Sequence, residues 1–380
     1  MVEKKRLHII ADDKIPFLQG VLEPFANVEY FPGKEISQKV VKNADALITR
    51  TRTKVSKDLL EGSSVKIVAT ATIGYDHLDT DWLDKNGILW VNSPGCNSGS
   101  VMQYIGGALT FLSEKKQFSF NQLTLGVVGV GNVGTKVAML GKNLGLKVLL
   151  NDPPRERKEG KEQFIPLSEL LKSSDIITMH GPLNKDGKDK TQGMVNEEFL
   201  SLLKKSATFI NSSRGPVVDE SALKRAIRSG KIDSAVLDVW NNEPQIDNEL
   251  LNLIDIATPH IAGYSVDGKA NGTSMVVNSI ARYFKLDLLD WYPNNLPNPE
   301  NNIIKIDCTG ISNQQIQEKA IRSTYKIEKD DENLRNSIQD FEKLRGNYPV
   351  RREFSSYTIE LENNTELIKN NLTDLGFKTN

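Results

Sequence analysis

The chain has 380 residues, 38% of them hydrophobic and 26% charged, with a formal net charge of −1. That length accommodates two or three domains with sizeable cores, and the neutral balance excludes a global field that would recruit nucleic acid or an anionic membrane. No apolar run reaches membrane-span length, the start MVEKKRLHIIADD lacks a signal peptide's apolar region, and the two cysteines, Cys96 and Cys308, form no disulfide framework or zinc pattern, so reduced thiols in a cytoplasmic protein with no bound metal are expected.

Short apolar runs at 7–10, 28–31, 46–48, 65–69 and 88–91 read as strands, separated by short helices or turns at 34–43, 55–61 and 79–86. Alternating strands and helices predict a parallel sheet covered by helices. Two strand ends carry possible chemistry: TRTRT (49–53) and ATATIGYDH (69–77). Hydroxyls, arginines and freed amides at the carboxyl end of a strand suit an anion such as a carboxylate or phosphate. A polar loop capping a helix is an equal alternative, and His77 alone reads as structural. Cys96, in the turn Pro94–Asn97, reads as a small packed residue at a crossover. Residues 99–113 follow as an amphipathic helix.

Residues 123–152, LTLGVVGVGNVGTKVAMLGKNLGLKVLLND, carry the sharpest pattern. A buried strand breaks at Gly129, Gly131 and Gly134, a helix follows from Asn132, and a second strand ends at Asp152. In this context G-x-G-x-x-G is a dinucleotide-binding turn. The helix-start amides, those of Asn132 and Val133 among them, face the pyrophosphate. A carboxylate at Asp152 suits ribose hydroxyls and repels a 2′-phosphate, which predicts NAD rather than NADP. The charged stretch PPRERKEGKE (153–162) reads as a solvated loop.

Four further strands, at 176–178, 208–210, 235–237 and 256–257, end in polar residues. These ends hold His180 and Gly181, then Ser212, Ser213 and Arg214, then Asp238, and last His260, Gly263 and Tyr264. A doubly wound sheet brings all of them to the edge where a cofactor lies. Arg214, Glu243 and His260 are the candidate catalytic set. A hydroxyl oxidised to a carbonyl loses a hydride and a proton, and histidine suits the proton. A carboxylate such as Glu243 orients the ring, and an arginine forks onto a substrate carboxylate. Singly, each has a structural alternative; their joint position after successive strands favours chemistry. Residues 265–285 read as a long helix, 290–302 as a Pro/Asn-rich linker, and 303–380 as a tail. The tail's strands fall at 303–306 and 357–361, its helices at 313–325, 329–344 and 364–374, with Ser312 and Gln315 spaced as a capping box. About 75 residues are few for an independent core, so the tail is expected to be completed by another surface, namely its copy in a homodimer.

VVGVGNVG (127–134), NSSRGPVVDESAL (211–223), LDVWNNEP (237–244) and TPHIAGY (258–264) resemble the D-2-hydroxyacid dehydrogenase superfamily. The resemblance implies two Rossmann-like doubly wound parallel-sheet domains: a flavodoxin-like substrate domain at 1–98 and 261–286, and an NAD-binding domain at 99–260. ATIGYDHLD (71–79), PGCN (94–97), LLNDPPR (149–155) and FEKLRGNYPVRREFSS (341–356) resemble a branch that acts on a phosphorylated hydroxy acid. In that branch the tail, 287–380, would be a small α+β dimerisation domain. The likeness makes Arg214, Glu243 and His260 catalytic, with His260 the acid/base. It assigns Asp152, Gly181, Ser212, Ser213, Arg214, Asp238 and Gly263 to NAD, and Thr51, Thr72 and Tyr264 to substrate in a cleft between the first two domains. The loop at 49–53 is the candidate for the substrate phosphate, with Arg351 or Arg352 of a dimer mate as a further conjecture. A phosphoglycerate dehydrogenase, or a non-catalytic NAD-binding corepressor-like protein, are the alternatives.

Overall fold

Two parallel sheets and a smaller third carry the chain. The computed structural model describes residues 6–288 and 290–380, which divide into two units, 1–97 with 265–297 and 98–264 with 298–380.

In the first unit, β1 (Leu7–Asp12), β2 (Ala26–Phe31), β3 (Ala46–Thr49), β4 (Ile67–Thr70) and β5 (Leu89–Val91) form a sheet of order β2-β1-β3-β4-β5, parallel throughout. This is the flavodoxin-like order. β3 and β4 are buried at every position, which is why they read as unbroken apolar runs rather than alternating ones. The helix Val266–Phe284 returns to this unit, and its Val276, Val277 and Ile280 share a core with Ile9, Ile48 and Ile67. The segment after it is pinned rather than loose: Trp291 N donates to Asn278 Oδ1 (2.8 Å), and Ser274 Oγ donates to Trp291 O (2.6 Å).

The second unit holds β6 (Thr124–Val128), β7 (Lys147–Asn151), β8 (Ile176–Met179), β9 (Ala207–Asn211), β10 (Ile232–Leu237) and β11 (Ile256–Ala257). Their order is β11-β10-β9-β8-β6-β7, again all parallel. The strand order reverses between β6 and β8, so the crevice for a ligand opens at the carboxyl end of β6. The stretch after Asp152, expected as a loop, is a helix, Pro153–Glu159. Its charge density suggested solvation, but three local signals favour a helix. Asp152 caps it by accepting from Arg155 N (2.9 Å), prolines occupy the first turn, and Arg155 pairs with Glu159 four residues on (2.6 Å).

The tail adds β12 (Ile303–Asp307), β13 (Thr358–Glu362) and β14 (Lys378–Thr379), parallel and in that order. The capping box forms, with Gln315 N on Ser312 Oγ (3.3 Å) and Ser312 N on Gln315 Oε1 (2.9 Å). The single helix expected at 329–344 is broken at Ser337 into Ile327–Asn336, a short 3-10 turn and Phe341–Gly346. The surface that completes the tail lies in the same chain. Ile316, Ile321, Tyr325, Ile359 and Leu372 share one core with Val101, Ile105, Leu109 and Leu140.

Two glycines in the helix Ser98–Lys116 permit that docking. A Cβ on Gly107 would stand 2.9 Å from the Tyr325 ring, and one on Gly106 would stand 3.4 Å from Ile321. Glycine inside a helix costs up to about 1 kcal/mol relative to alanine, and close seating of the tail offsets it. Gly107→Val is expected to destabilise the protein by about 1–3 kcal/mol through overpacking, read by urea denaturation. A variant as stable as the parent would sink this account. Among the described residues no helix is long and apolar enough to cross a membrane, and no His/Cys/Asp/Glu cluster could hold a metal ion.

Candidate active site

The dinucleotide turn begins where β6 ends. Gly129 has φ +87°, and a Cβ there would lie 2.4 Å from the Gly181 amide at the end of β8. Glycine therefore lets the turn press against the neighbouring strand end. A Cβ on Gly134 would strike Gly129 O at 2.0 Å, so this glycine lets the helix seat on the turn. At Gly131 the opposite holds: a Cβ meets nothing within 4 Å. Gly131 is the N-cap of the helix Asn132–Asn143, and no side chain caps it. Asn132 and Val133 begin that helix, whose first amides have no intrahelical acceptor. The turn thus presents open backbone donors at a helix N-terminus, as a pyrophosphate requires.

Asp152, at the end of β7, accepts from Val130 N (2.7 Å) with Oδ2 and from Arg155 N with Oδ1. The same carboxylate that suits a ribose also anchors the glycine turn and starts the next helix. Ser212 Oγ, after β9, is buried without a hydrogen-bond partner, a polar atom left for a ligand. The open space at Gly131 and the orphan at Ser212 both fit a bound dinucleotide. Gly131→Val is expected to leave the fold intact and weaken NAD binding at least about tenfold, the loss of roughly one good hydrogen bond or more. Fluorescence titration of NADH would measure it, and unchanged affinity would contradict this placement of the pyrophosphate.

Asn211, the last residue of β9, builds the next turn. Its Oδ1 accepts from Ser213 N (3.0 Å) and Ser213 Oγ (2.8 Å), and its Nδ2 donates to Arg214 O (3.1 Å). Arg214 is half-buried, and its Nη1 donates to Ser213 O (2.8 Å). A Cβ on the next residue, Gly215, would overlap Trp240 O at 2.0 Å. Glycine there lets the Arg214 turn lie directly against the segment that follows β10.

That segment carries Glu243. Its Oε1 accepts from Trp240 N (3.0 Å), and its Oε2 sits 2.8 Å from His260 Nδ1. The acid is held at both oxygens, and a proton on Nδ1 leaves Nε2 as the ring's acceptor. His260 follows β11, with φ +57°, and its side chain is 31% exposed. Asp238, at 1% exposure, braces this turn: it accepts from Thr258 Oγ1 (2.7 Å), Ile261 N (2.7 Å) and Ala262 N (2.9 Å). Burial pushes the Asp238 carboxyl above its usual value, and these bonds and the nearby His260 only partly offset that. Three bonds to one turn make Asp238 a structural brace in addition to any contact with cofactor. Arg214, Asp238, Glu243 and His260 follow the adjacent strands β9, β10 and β11, at the edge that also holds the glycine turn.

Burial pushes Glu243 up, but the hydrogen bond and charge of His260, the Trp240 amide and the Arg345 charge outweigh it and hold the carboxyl below its ordinary value. A depressed folded value means the pairing stabilises the fold above the unfolded pKa, about pH 4.3, and that this is lost as pH falls through the depressed value. The stability advantage of the parent over Glu243→Gln is therefore expected to shrink as pH is lowered from 5 to 3, where the carboxylate takes up its proton. Thermal melting across that range checks it; an advantage that grew on acidification would refute it.

The other histidines are set aside by their surroundings. Burial pushes His180 down to about 3, with Nε2 2.8 Å from Thr178 Oγ1. Burial, against the charge of Asp76, pushes His77 down to about 4, with Nε2 3.1 Å from Thr70 Oγ1. Both are neutral near pH 7, and His8 pairs with Glu29 at 2.7 Å away from the sheet's carboxyl edge. In the first unit, Thr51 is exposed on the loop after β3, while Thr72 holds its own loop by donating to Gly74 O (2.8 Å). Arg50 of the same loop is paired with Asp12 (3.1 Å). Cys96 is buried, with its Sγ 3.6 Å from where a Gly272 Cβ would stand. Gly263 and Tyr264 close the His260 turn, and the Tyr264 ring meets Tyr348 of the tail edge-on, 6.0 Å between centroids. Arg351, conjectured for the phosphate, is 5% exposed and donates to main-chain carbonyls instead. Asn211, Trp240 and Thr258 stand among the strand-end residues of the sequence without an assigned role, and the structure shows them bracing the turns around the site.

Residues 108–262 match the family described as D-isomer specific 2-hydroxyacid dehydrogenase, NAD binding domain, and residues 296–376 match a domain of unknown function. The D-lactate dehydrogenase from Aquifex aeolicus complexed with NAD and lactic acid is similar at TM-score 0.63 and 30% identity, over 74% of this chain and 96% of that one. Fold, strand-end residues and these matches define an NAD-dependent dehydrogenase of the D-2-hydroxyacid class. The erythronate-4-phosphate dehydrogenase of Bacteroides fragilis is 46% identical over 354 residues, 93% of this chain and 99% of that protein, and the Proteus mirabilis enzyme of the same name is 40% identical over 362 residues, 94% and 96%. The chain belongs to the erythronate-4-phosphate dehydrogenase family.

Proposed function

We propose that the protein oxidises 4-phospho-D-erythronate at C2 to 2-oxo-3-hydroxy-4-phosphobutanoate, a step towards pyridoxal 5′-phosphate. The observation that carries the chemistry is the 2.8 Å bond between His260 Nδ1 and Glu243 Oε2, at the sheet edge that holds the glycine turn. NAD, when bound, supplies the acceptor for the C2 hydride. His260 Nε2 takes the proton of the C2 hydroxyl as the carbonyl forms, and Glu243 stabilises the imidazolium that results. Arg214 forks onto the substrate carboxylate and the C2 oxygen, aligning C2 and favouring charge on that oxygen. Gly129, Gly131, Asn132, Val133 and Gly134 hold the pyrophosphate, and Asp152 holds the ribose. Gly181, Ser212, Ser213, Asp238 and Gly263 complete the cofactor contacts, and Thr51, Thr72 and Tyr264 contact substrate. The loop at 49–53 receives the phosphate; within it Arg50 is paired with Asp12.

Purified protein with NAD and 4-phospho-D-erythronate is expected to form NADH, followed at 340 nm with a scavenger of the oxo product. No turnover there alongside turnover of 3-phosphoglycerate would overturn the assignment. Two buried free thiols and the enzyme's metabolic class support a cytoplasmic setting. A homodimer is part of the same reading: β12 is an edge strand with Ile303 half-exposed, a surface suited to a second copy. Light scattering giving a monomer's mass at micromolar concentration would remove it.

A further inference from the structure

The turn that carries His260 is held from two sides. Asp238 takes its amides, those of Ile261 and Ala262. Arg351, from the tail, takes the carbonyls of the same two residues, donating from Nη2 to Ile261 O (3.3 Å) and Ala262 O (2.6 Å). Its Nη1 donates to the Tyr348 hydroxyl (3.3 Å), and its guanidinium lies 4.7 Å from the Tyr325 ring centroid. Both tyrosine hydroxyls donate to Asp330 Oδ2, at 2.8 and 2.6 Å. A buried cation is thus braced by two rings, with its counter-charge one hydrogen bond further away. A buried arginine has a large desolvation cost, so a site that keeps it must use its donors; here both terminal nitrogens are engaged, while Nε is buried without a partner.

The neighbouring tail residues grip the same unit at the opposite crossing of the chain. Glu353 accepts from Ser100 Oγ (2.8 Å), and the Arg352 carbonyl accepts from Gln103 Nε2 (2.8 Å), both at the start of the helix Ser98–Lys116. The chain passes between the two units at 97/98, 264/265 and 297/298. Segment 345–353 therefore fastens the second unit's side of the first two crossings. One of them is the His260 turn, whose φ of +57° is a conformation that a β-carbon disfavours. Such a turn keeps its shape only where surrounding bonds over-determine it.

We propose that Arg351 is a positioning residue for the dehydrogenase reaction: through the carbonyls of Ile261 and Ala262 it holds the His260 ring against Glu243. The tail then acts on catalysis within its own chain, without touching substrate or cofactor. This inference rests on the dehydrogenase reading above, but its first readout does not need turnover.

The full-length protein is labelled with 15N-histidine, and the His260 Nδ1–H resonance is assigned by its absence from His260→Asn. The bond to Glu243 places that proton downfield. Arg351→Met is expected to broaden or lose it, and Arg351→Lys, which keeps the charge and one donor, to keep it in part. In the kinetic arm, kcat falls at least tenfold in Arg351→Met, the KM for NAD stays within twofold, and lysine restores part of the loss. An unchanged resonance with unchanged kcat in folded Arg351→Met overturns the proposal, as does an equal fall in kcat for lysine and methionine with the resonance intact. Should methionine prevent folding, Arg351→Lys and Tyr348→Phe decide: both must weaken the resonance, and a parent-like signal in both overturns it. A parent enzyme that fails to turn over 4-phospho-D-erythronate would count against the dehydrogenase reading alone, because the resonance still reports on Arg351.

Discussion

His260→Asn is expected to lower kcat about 10²- to 10⁴-fold, the usual contribution of a positioned acid–base group. Asparagine is the informative replacement, because its amide can still donate to Glu243 Oε2 and so keeps the 2.8 Å contact's geometry and the turn's bracing by Asp238. It cannot accept a proton near neutral pH. The KM for NAD should change little, since the glycine turn, Asp152 and Ser212 are untouched. The loss should also remove the histidine's titration from the pH dependence of kcat, leaving hydroxide and water as the proton acceptors. No rescue from His77 or His180 is expected, because burial keeps both neutral and each ring is bonded to a threonine hydroxyl. Steady-state kinetics from pH 6 to 9, with NAD binding as the control for folding, would measure this. A variant with parent-like kcat and pH profile would remove His260 from proton transfer.

Much of this fold was legible because its strands are buried on both faces. ALIT of β3, IVAT of β4 and IITM of β8 are buried at every position, and such runs cannot be confused with surface segments. The carboxyl-edge rule then aligned Arg214, Glu243 and His260 without any coordinates, because parallel strands must all point the same way. Roles set by one long-range partner were not legible. The resemblance assigns Asp238 to the cofactor; its bracing role is a separate one, with three bonds to a turn twenty and more residues onward. The Arg351–Arg352 pair read as a phosphate site because charge in sequence suggests an exposed ligand. In the structure Arg351 is buried, and its donors reach back ninety residues to Ile261. The helix at Pro153–Glu159 is hidden for a different reason: its charge density imitates a solvated loop and masks the Asp-Pro-Pro start, which is the stronger local signal. The Gly106–Gly107 pair belongs with the long-range cases. A glycine pair in a helix announces a close approach but not what approaches, and here it is the tail's Ile321 and Tyr325.

Arg214→Met is expected to lower kcat/KM about 10²- to 10⁴-fold. Two charge-assisted bonds to a carboxylate and an adjacent oxygen contribute about 1.5–3 kcal/mol each, and each 1.36 kcal/mol is a factor of ten. The loss should divide between the two constants. The bond to the carboxylate exists in both ground and transition state, so its removal raises the substrate KM. The bond to the C2 oxygen strengthens as the carbonyl forms, so its removal lowers kcat. Arg214→Lys should recover part of the binding but little of the alignment, because an ammonium cannot present two parallel donors. The fold should tolerate both changes. Asn211 shapes the turn through the main chain at Arg214 and through Ser213, and Gly215 provides the close approach to Trp240. The side-chain bond to Ser213 O is lost, but the turn's main-chain bonds remain. The decisive comparison is a substrate analogue lacking the carboxylate. If Arg214 forks onto that group, parent and methionine variant should handle the analogue with nearly equal KM. A methionine variant still many-fold weaker towards the analogue would place the arginine's work elsewhere, on the phosphate or the cofactor, and the carboxylate assignment would fall.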